Sequence, residues 1–192
     1  MELKIWSELP EAEQTAQLQR PAVSQSAEIR DGAAAIISEV RQRGDRALRD
    51  FSLTFDGAEV SDFRVRDKEI AAAMRQLSQT QRDAIDLAIN NVRRFHEQQR
   101  PVAIVVETMP GVVCERVSHA IDSVGLYVPA GTAPLPSAAI MLAVPATIAG
   151  CTTKILCTPP RRDGSADPAV LVAASRAGVT DIFKVGGAQA IA

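Results

Sequence analysis

Two segments carry residue types suited to holding an anionic ligand. The first runs Tyr127-Val128-Pro129-Ala130-Gly131-Thr132-Ala133-Pro134-Leu135-Pro136-Ser137. Its small residues let a backbone come close to a phosphate, and it feeds the amino terminus of a helix, whose free amides favour negative charge. A plain strand-to-helix turn has the same composition, and G-x-G-x-x-G is absent, so this segment by itself is open to both readings. The second segment is Val185-Gly186-Gly187-Ala188-Gln189. Paired glycines permit a tight turn, and the Gln189 amide offers a donor and an acceptor to a cofactor. A surface or capping role suits Gln189 as well. Tyr127, the only tyrosine, is either a packing residue at a strand end or a stacking platform.

The other chemistry-bearing types are scattered. Cys114, Cys151 and Cys157 make an odd number without Cys-x-x-Cys spacing, which fits reduced thiols rather than a disulfide framework or a zinc site. His96 falls on a helical face and His119 at a strand end, neither with ligand-spaced partners. No residue of the chain is expected to be catalytic or to bind a metal.

The 192 residues are 46% apolar and 23% charged, the composition of an ordinary globular chain rather than a disordered one. The formal net charge is −2, and the basic residues are interspersed with acids. The electrostatic footprint of a nucleic-acid binder is missing. No apolar run approaches the roughly 20 residues that cross a bilayer. The start, Met1-Glu2-Leu3-Lys4-Ile5-Trp6, lacks a secretion-signal pattern, so a cytoplasmic location is expected.

The elements that must position the two loops follow from periodicity. Through about residue 100 the pattern is helical. Ile29, Ala33, Ile36, Ile37, Val40, Ala47, Leu48 and Phe51 recur at three- and four-residue steps, broken at Arg43-Gly44-Asp45, where one helix ends and another begins with Asp45 accepting from its free amides. A short extended piece, Phe63-Arg64-Val65, precedes Asp67, expected to cap a helix bearing Ile70, Ala73, Met74 and Leu77. Thr80-Gln81-Arg82-Asp83 resembles a capping box for a helix with Ile85, Ala88, Ile89, Val92 and Phe95 on one face, running to about Gln99 and stopping before Pro101.

From Val102 the pattern turns to short β-rich runs: Val102 to Glu107 and Val112 to Val117, joined by a Met109-Pro110-Gly111 turn, then Ser123 to Val128. A helix from about Ser137 to Ala149 contains Pro145, which predicts a kink or a two-step start. Lys154 to Cys157 is the next strand, Asp167-Pro168 caps a helix that Gly178 ends, and Asp181 to Val185 is a further strand. Strand, helix, strand, helix, strand is the rhythm of a parallel α/β layer. The expected fold is α/β: a helical region over 1–100, then a partial Rossmann-like domain over 101–192.

Three collinear blocks add a family resemblance. Ser123-Val124-Gly125-Leu126-Tyr127-Val128-Pro129, then Met141-Leu142-Ala143-Val144-Pro145-Ala146 with Ile148-Ala149-Gly150-Cys151, and finally Val185-Gly186-Gly187-Ala188-Gln189-Ala190-Ile191-Ala192 are similar in order and spacing to the histidinol dehydrogenase family. Arg43-Gly44-Asp45-Arg46-Ala47-Leu48 through Phe55-Asp56 and the Phe95-His96 region also resemble it. Two places depart from the family pattern. Pro129-Ala130-Gly131 stands where Pro-Gly-Gly is usual, putting a methyl group where a positive φ or a close phosphate approach is expected. Ser118-His119-Ala120 stands where Arg-Pro is common.

The resemblance implies an NAD-dependent oxidoreductase that takes L-histidinol through the aldehyde to L-histidine on a bound zinc, as a homodimer. It implies NAD contacts for Tyr127 and Gln189. The family's Glu-His acid/base pair, in a P-E-H-L motif, and its Gln, His, Asp and His zinc ligands belong to its carboxyl-terminal half, and none of those motifs occurs here. The chain is therefore expected to be the amino-terminal part, inactive alone. Two alternatives stay open: a non-catalytic dimerisation or regulatory module derived from the family, and a related dehydrogenase for another alcohol.

Overall fold

The computed structural model describes residues 4–18, 27–130 and 133–192. A 3-10 turn at Trp6–Glu8 leads into α1 (Glu11–Leu18), followed by α2 (Ala27–Arg43) and α3 (Asp45–Phe51). Gly44, at φ +57, separates α2 from α3. Asp45 sits inside the first turn of α3 and makes no cap, because Gly44 occupies the capping position. A π-helical turn, Ser52–Asp56, extends α3 and ends at Gly57, φ +63.

The caps of the next two helices each fall earlier than the sequence suggested. In α4 (Asp67–Gln76), Arg66 is the capping residue and its amide donates to Glu69 Oε2 at 2.9 Å, so Asp67 is already helical. In α5 (Gln79–Glu97), Ser78 Oγ accepts from the Gln81 amide at 3.2 Å and Gln81 Oε1 accepts from the Ser78 amide at 2.8 Å. Ser78-x-x-Gln81 forms the complete reciprocal pair, and Thr80, two residues on, is already inside the helix.

The hairpin β1 (Ile104–Met109) and β2 (Val112–Arg116) is antiparallel, with an irregularity between Glu107 and Met109 and a turn at Gly111, φ +78. Every residue of both strands is exposed. The hairpin stands apart from the parallel sheet, whose order is β3-β4-β5.

In that sheet, β3 (Ser123–Tyr127), β4 (Thr153–Thr158) and β5 (Asp181–Lys184) are linked by α6 (Pro136–Ile148) and α7 (Pro168–Arg176). Tyr127 registers with Cys157, Leu126 with Leu156, and Leu156 with Ile182. The α7 start is as the sequence predicted: Asp167 Oδ1 accepts from the Ala169 and Val170 amides at 2.9 and 3.2 Å, with Pro168 at the first turn. Gly178, φ +96, follows the helix end. Pro145 lies within α6, which is one continuous element from Pro136. The proline falls in the last turn, so only one backbone bond is forfeited.

One core joins both halves. Leu126, Val128, Leu156 and Ile182 pack with Ala139, Ile140, Ala143 and Val144 of α6 and Val170 to Ala174 of α7, and with Ala73 of α4 and Ile85 and Ile89 of α5. A smaller cluster of Ala58, Val60, Phe63 and Val185 holds Leu48 and Phe183 against the other sheet face. No described helix is long and apolar enough to cross a membrane.

Candidate functional site

The ends of β3, β4 and β5 bring the two predicted loops together. Gly187 N–H donates to Tyr127 Oη at 2.9 Å. The hydroxyl of Tyr127 is thus engaged with the second loop, a role that neither packing nor stacking alone would supply. Gly186 and Gly187 are both needed sterically. A Cβ at Gly186 would lie 2.8 Å from Pro159 Cγ, in the segment after β4. A Cβ at Gly187, where φ is +61, would lie 2.5 Å from Gln189 Oε1.

Gln189 folds back over Gly187 and is only 4% exposed. Its Oε1 is buried and has no hydrogen-bond partner. A surface role for Gln189 is therefore ruled out by its burial. The 3-10 turn Ala188–Ala190 that carries it packs on α2, so the helical region fixes the second loop from behind. An unsatisfied buried carbonyl oxygen costs on the order of 1–3 kcal/mol, and a ligand amide or hydroxyl reaching it would recover that energy.

A cleft of about 370 Å³ opens beside this turn, lined by Asp45, Leu48, Arg49, Phe63, Cys157 and Gln189 among others. Its apolar wall is Phe63, with the Arg49 guanidinium 5.4 Å from the ring centroid. At its rim Arg64 pairs with Asp181 at 2.5 Å, and Arg66 with Asp62 at 2.7 Å. The hydrogen bond from Arg66 holds the Asp62 carboxyl below its ordinary range. These four charges are paired with one another, while Arg49 bonds backbone carbonyls of Asp45 and Ser61.

Sequence reasoning missed Thr158, Asp45, Arg49 and Phe63 as neighbours of the site. Thr158 ends β4, is wholly buried, and its Oγ1 lacks a partner. The Pro159-Pro160 pair that stops the strand was the available signal. The first loop is only partly described: Gly131 and Thr132 lie outside the described residues. Ala130 is described, and no described non-glycine residue has a positive φ, so its methyl group meets no backbone conflict. Leu135 gives α6 no side-chain cap.

The scattered groups stay scattered. His96 Nδ1 is 2.6 Å from Gln99 Oε1, with the ring edge-on to Phe95, and His119 is exposed outside any element. Burial pushes the Cys157 thiol up, away from the reactive thiolate. Cys151 is buried and Cys114 exposed, and all three are free. No group of three or more His, Cys, Asp or Glu among the described residues could hold a metal ion.

Comparison with known proteins identifies the family. The family model for histidinol dehydrogenase matches residues 18–192. Histidinol dehydrogenase of Xanthomonas axonopodis is 51% identical over all 192 residues, which span 44% of that relative. The Xylella fastidiosa histidinol dehydrogenase is 47% identical over the same 192 residues, again 44% of its length. The crystal structure of histidinol dehydrogenase from Elizabethkingia anophelis superposes with a TM-score of 0.87 at 37% identity, covering 95% of this chain and 42% of that one. The chain thus spans under half the length of these relatives, and it belongs to the histidinol dehydrogenase family.

Proposed function

We propose that this chain is the NAD-binding, amino-terminal part of a histidinol dehydrogenase, and that Tyr127 and Gln189 hold the cofactor. The observation that carries this is the Gly187–Tyr127 hydrogen bond at 2.9 Å, which sets the buried, unpartnered Gln189 Oε1 beside the end of β3. Ligands of open α/β sheets bind at the carboxyl ends of strands. The residues fit a dinucleotide: Gln189 offers an unmatched acceptor, and the missing Cβ atoms at Gly186 and Gly187 let Pro159 and the Gln189 side chain pack close to the turn that presents it. Bound NAD supplies the hydride acceptor. Tyr127 and Gln189 orient it, and α2 and the shared core hold both residues still. In this reading, residues 1–100 are the helical buttress of the partial α/β domain over 101–192.

Zinc finds no such fit among the described residues, so no step is assigned to it here. In the whole protein the substrate is L-histidinol, the zinc and the acid/base pair come from outside this chain, and the assembly is a cytoplasmic homodimer. Exposed apolar side chains on the helical part, including Leu53, Phe55 and Phe95, support a covered surface there.

Titration calorimetry of NAD into the 192-residue chain tests the reading. Weak binding is expected, and Gln189→Leu, which keeps the volume and removes the amide, should weaken it by about tenfold, the loss of roughly one hydrogen bond. Binding unaltered by Gln189→Leu would place the cofactor elsewhere.

A further inference from the structure

The segment Phe63-Arg64-Val65 closes the outer edge of β5 with a very short ladder. Val65 N–H donates to Ile182 O and Lys184 N–H to Phe63 O, each at 2.8 Å, with Arg64 bridged antiparallel to Phe183. Backbone groups bond equally well at neighbouring registers, so side chains must choose among them. The choice matters to the second loop. Phe63 packs in one small cluster with Val185 and Ala190, the residues that flank the Gly186-Gly187-Ala188-Gln189 turn. Sliding Phe63 along β5 would withdraw it from that turn.

Two ion pairs mark the register that is observed. Arg64 and Asp181 meet with side chains 54% and 29% exposed, so water screens the pair and it contributes little. Lys184 and Glu69 meet at 2.9 Å, and Lys184 is only 7% exposed although it carries a charge. Lys184 is the last residue of β5, and Glu69 lies in the first turn of α4, 115 positions earlier. The carboxylate is already fixed on its own side, because Glu69 Oε2 accepts from the Arg66 amide at 2.9 Å. Charges taken out of water lose in desolvation much of what they gain in mutual attraction, and an apolar substitute is often equally stable. Setting a register is the best-attested use of such a pair.

We propose that Lys184 and Glu69 are positioning residues for the cofactor: their pair fixes the register of Phe63-Arg64-Val65 on β5, and through Phe63 it fixes where the Gln189 turn stands. Neither side chain lines the cleft beside Gln189, so neither is assigned a contact with NAD. The pair acts on Gln189 through the backbone that follows Lys184 and through the packing of Phe63 with Val185 and Ala190. The effect on NAD rests on the role of Gln189 proposed above, whereas the effect on register does not.

Urea melts, hydrogen exchange and NAD calorimetry on the 192-residue chain test this with Lys184→Met and with the double variant Lys184→Met/Glu69→Gln. Glutamine keeps an acceptor for the Arg66 amide, and with it the cap, while the double variant leaves no buried charge unpaired. Lys184→Met alone strands the Glu69 carboxylate and should lower the urea midpoint, and the double variant should recover most of that loss. Despite the recovered midpoint, its Val65 and Gly187 amides should exchange at least roughly tenfold faster than in the parent. NAD should bind about tenfold more weakly, as if one hydrogen bond were lost. Adding Gln189→Leu should weaken binding little further, since both changes act on the same contact. Unchanged exchange at Val65 and Gly187 would overturn the proposal, as would a double variant no more stable than Lys184→Met, which would make the pair a matter of stability alone. Parent-like NAD affinity despite faster exchange, or a fully additive loss with Gln189→Leu, would overturn the route through Gln189. A parent chain that binds no NAD would refute the cofactor role of Gln189 instead, and the exchange rates would still decide whether the pair sets the register.

Discussion

The Tyr127 hydroxyl and the Gly187 amide meet at 2.9 Å across 60 positions of sequence, so the turn after β5 is tethered to the end of β3 by a side chain rather than by the sheet ladder. Tyr127→Phe keeps the ring and removes the acceptor. The bond is solvent-exposed, so the expected loss of stability is about 0.5–1.5 kcal/mol, read as a lower urea midpoint with an unchanged slope. The Gly187 amide should exchange faster, and NAD should bind several-fold more weakly. An unchanged Gly187 exchange rate would show that the tether holds nothing.

Gly187 is the tightest position of the second loop. Alanine there must adopt a φ near +61 and place its methyl group 2.5 Å from Gln189 Oε1. Strain of this kind costs about 1–3 kcal/mol, and the cheap relief is for the Gln189 side chain to swing out. Gly187→Ala should therefore lower stability and weaken NAD binding together. Gly125→Ala, where a Cβ meets open space, should leave NAD binding alone and serves as the control. Equal effects at the two glycines would sink the steric account.

How far the sequence displayed this site depends on whether a feature is local. The strand–helix rhythm from Ser123 to Lys184, the Asp167 cap and the glycine stops at Gly150 and Gly178 are set by neighbours in sequence, and they fall within a residue or two of expectation. Ser78 was overlooked as a cap because Thr80 offers a similar box two residues on. The burial of Gln189 could not be read, since it arises from α2 and its own turn folding over Gly187. Nor could the closing of the β5 edge by Phe63 to Val65, which pairs residues more than a hundred positions apart, as in the Arg64–Asp181 contact at a separation of 117.

Two carboxyls should give stability opposite slopes with pH. Burial alone would push the Glu69 carboxyl up, but the Lys184 ammonium at 2.9 Å and the Arg66 amide outweigh it and hold Glu69 below its ordinary value of 4.5. A depressed folded value means that this contribution is fully present above the unfolded pKa and is lost as pH falls through the folded one. Asp56 is the reverse: its Oδ2 is buried without a partner, and desolvation raises it above 3.8. Its contribution is greatest below that value and is lost as pH rises through the folded pKa. Urea midpoints measured from pH 3 to 7 should show Glu69→Gln costing most at the upper end and little at the lower, and Asp56→Asn gaining relative to the parent as pH rises. Parallel profiles for both variants would contradict the assigned causes.

The final prediction is that the 192-residue chain forms no NADH from histidinol, with or without added zinc. Oxidising an alcohol requires its hydroxyl to lose a proton while hydride leaves carbon for the nicotinamide, so a base must stand within hydrogen-bond reach of the bound alcohol. General acid/base catalysis contributes about 10² to 10⁴ in rate, and a metal that polarises the oxygen adds several kcal/mol of stabilisation. Of the carboxylates lining the cleft beside the Tyr127–Gln189 turn, Asp62 is tied to Arg66 and Asp45 sits in the first turn of α3. His96 is bonded to Gln99 and packed against Phe95 on α5, and His119 lies exposed between the hairpin and β3. The Cys157 thiol lines the cleft, but burial raises it away from the thiolate. No described group of three ligands exists for a metal. The same chain, continued by the residues of the Xanthomonas axonopodis relative that it does not span, should restore turnover, and Gln189→Leu in that longer protein should raise KM for NAD more than it lowers kcat, since the amide orients cofactor rather than moving protons. Steady NADH production by the short chain, abolished by a chelator, would mean that a complete site is assembled within these residues and that the assignment of chemistry to the remainder of the protein is wrong.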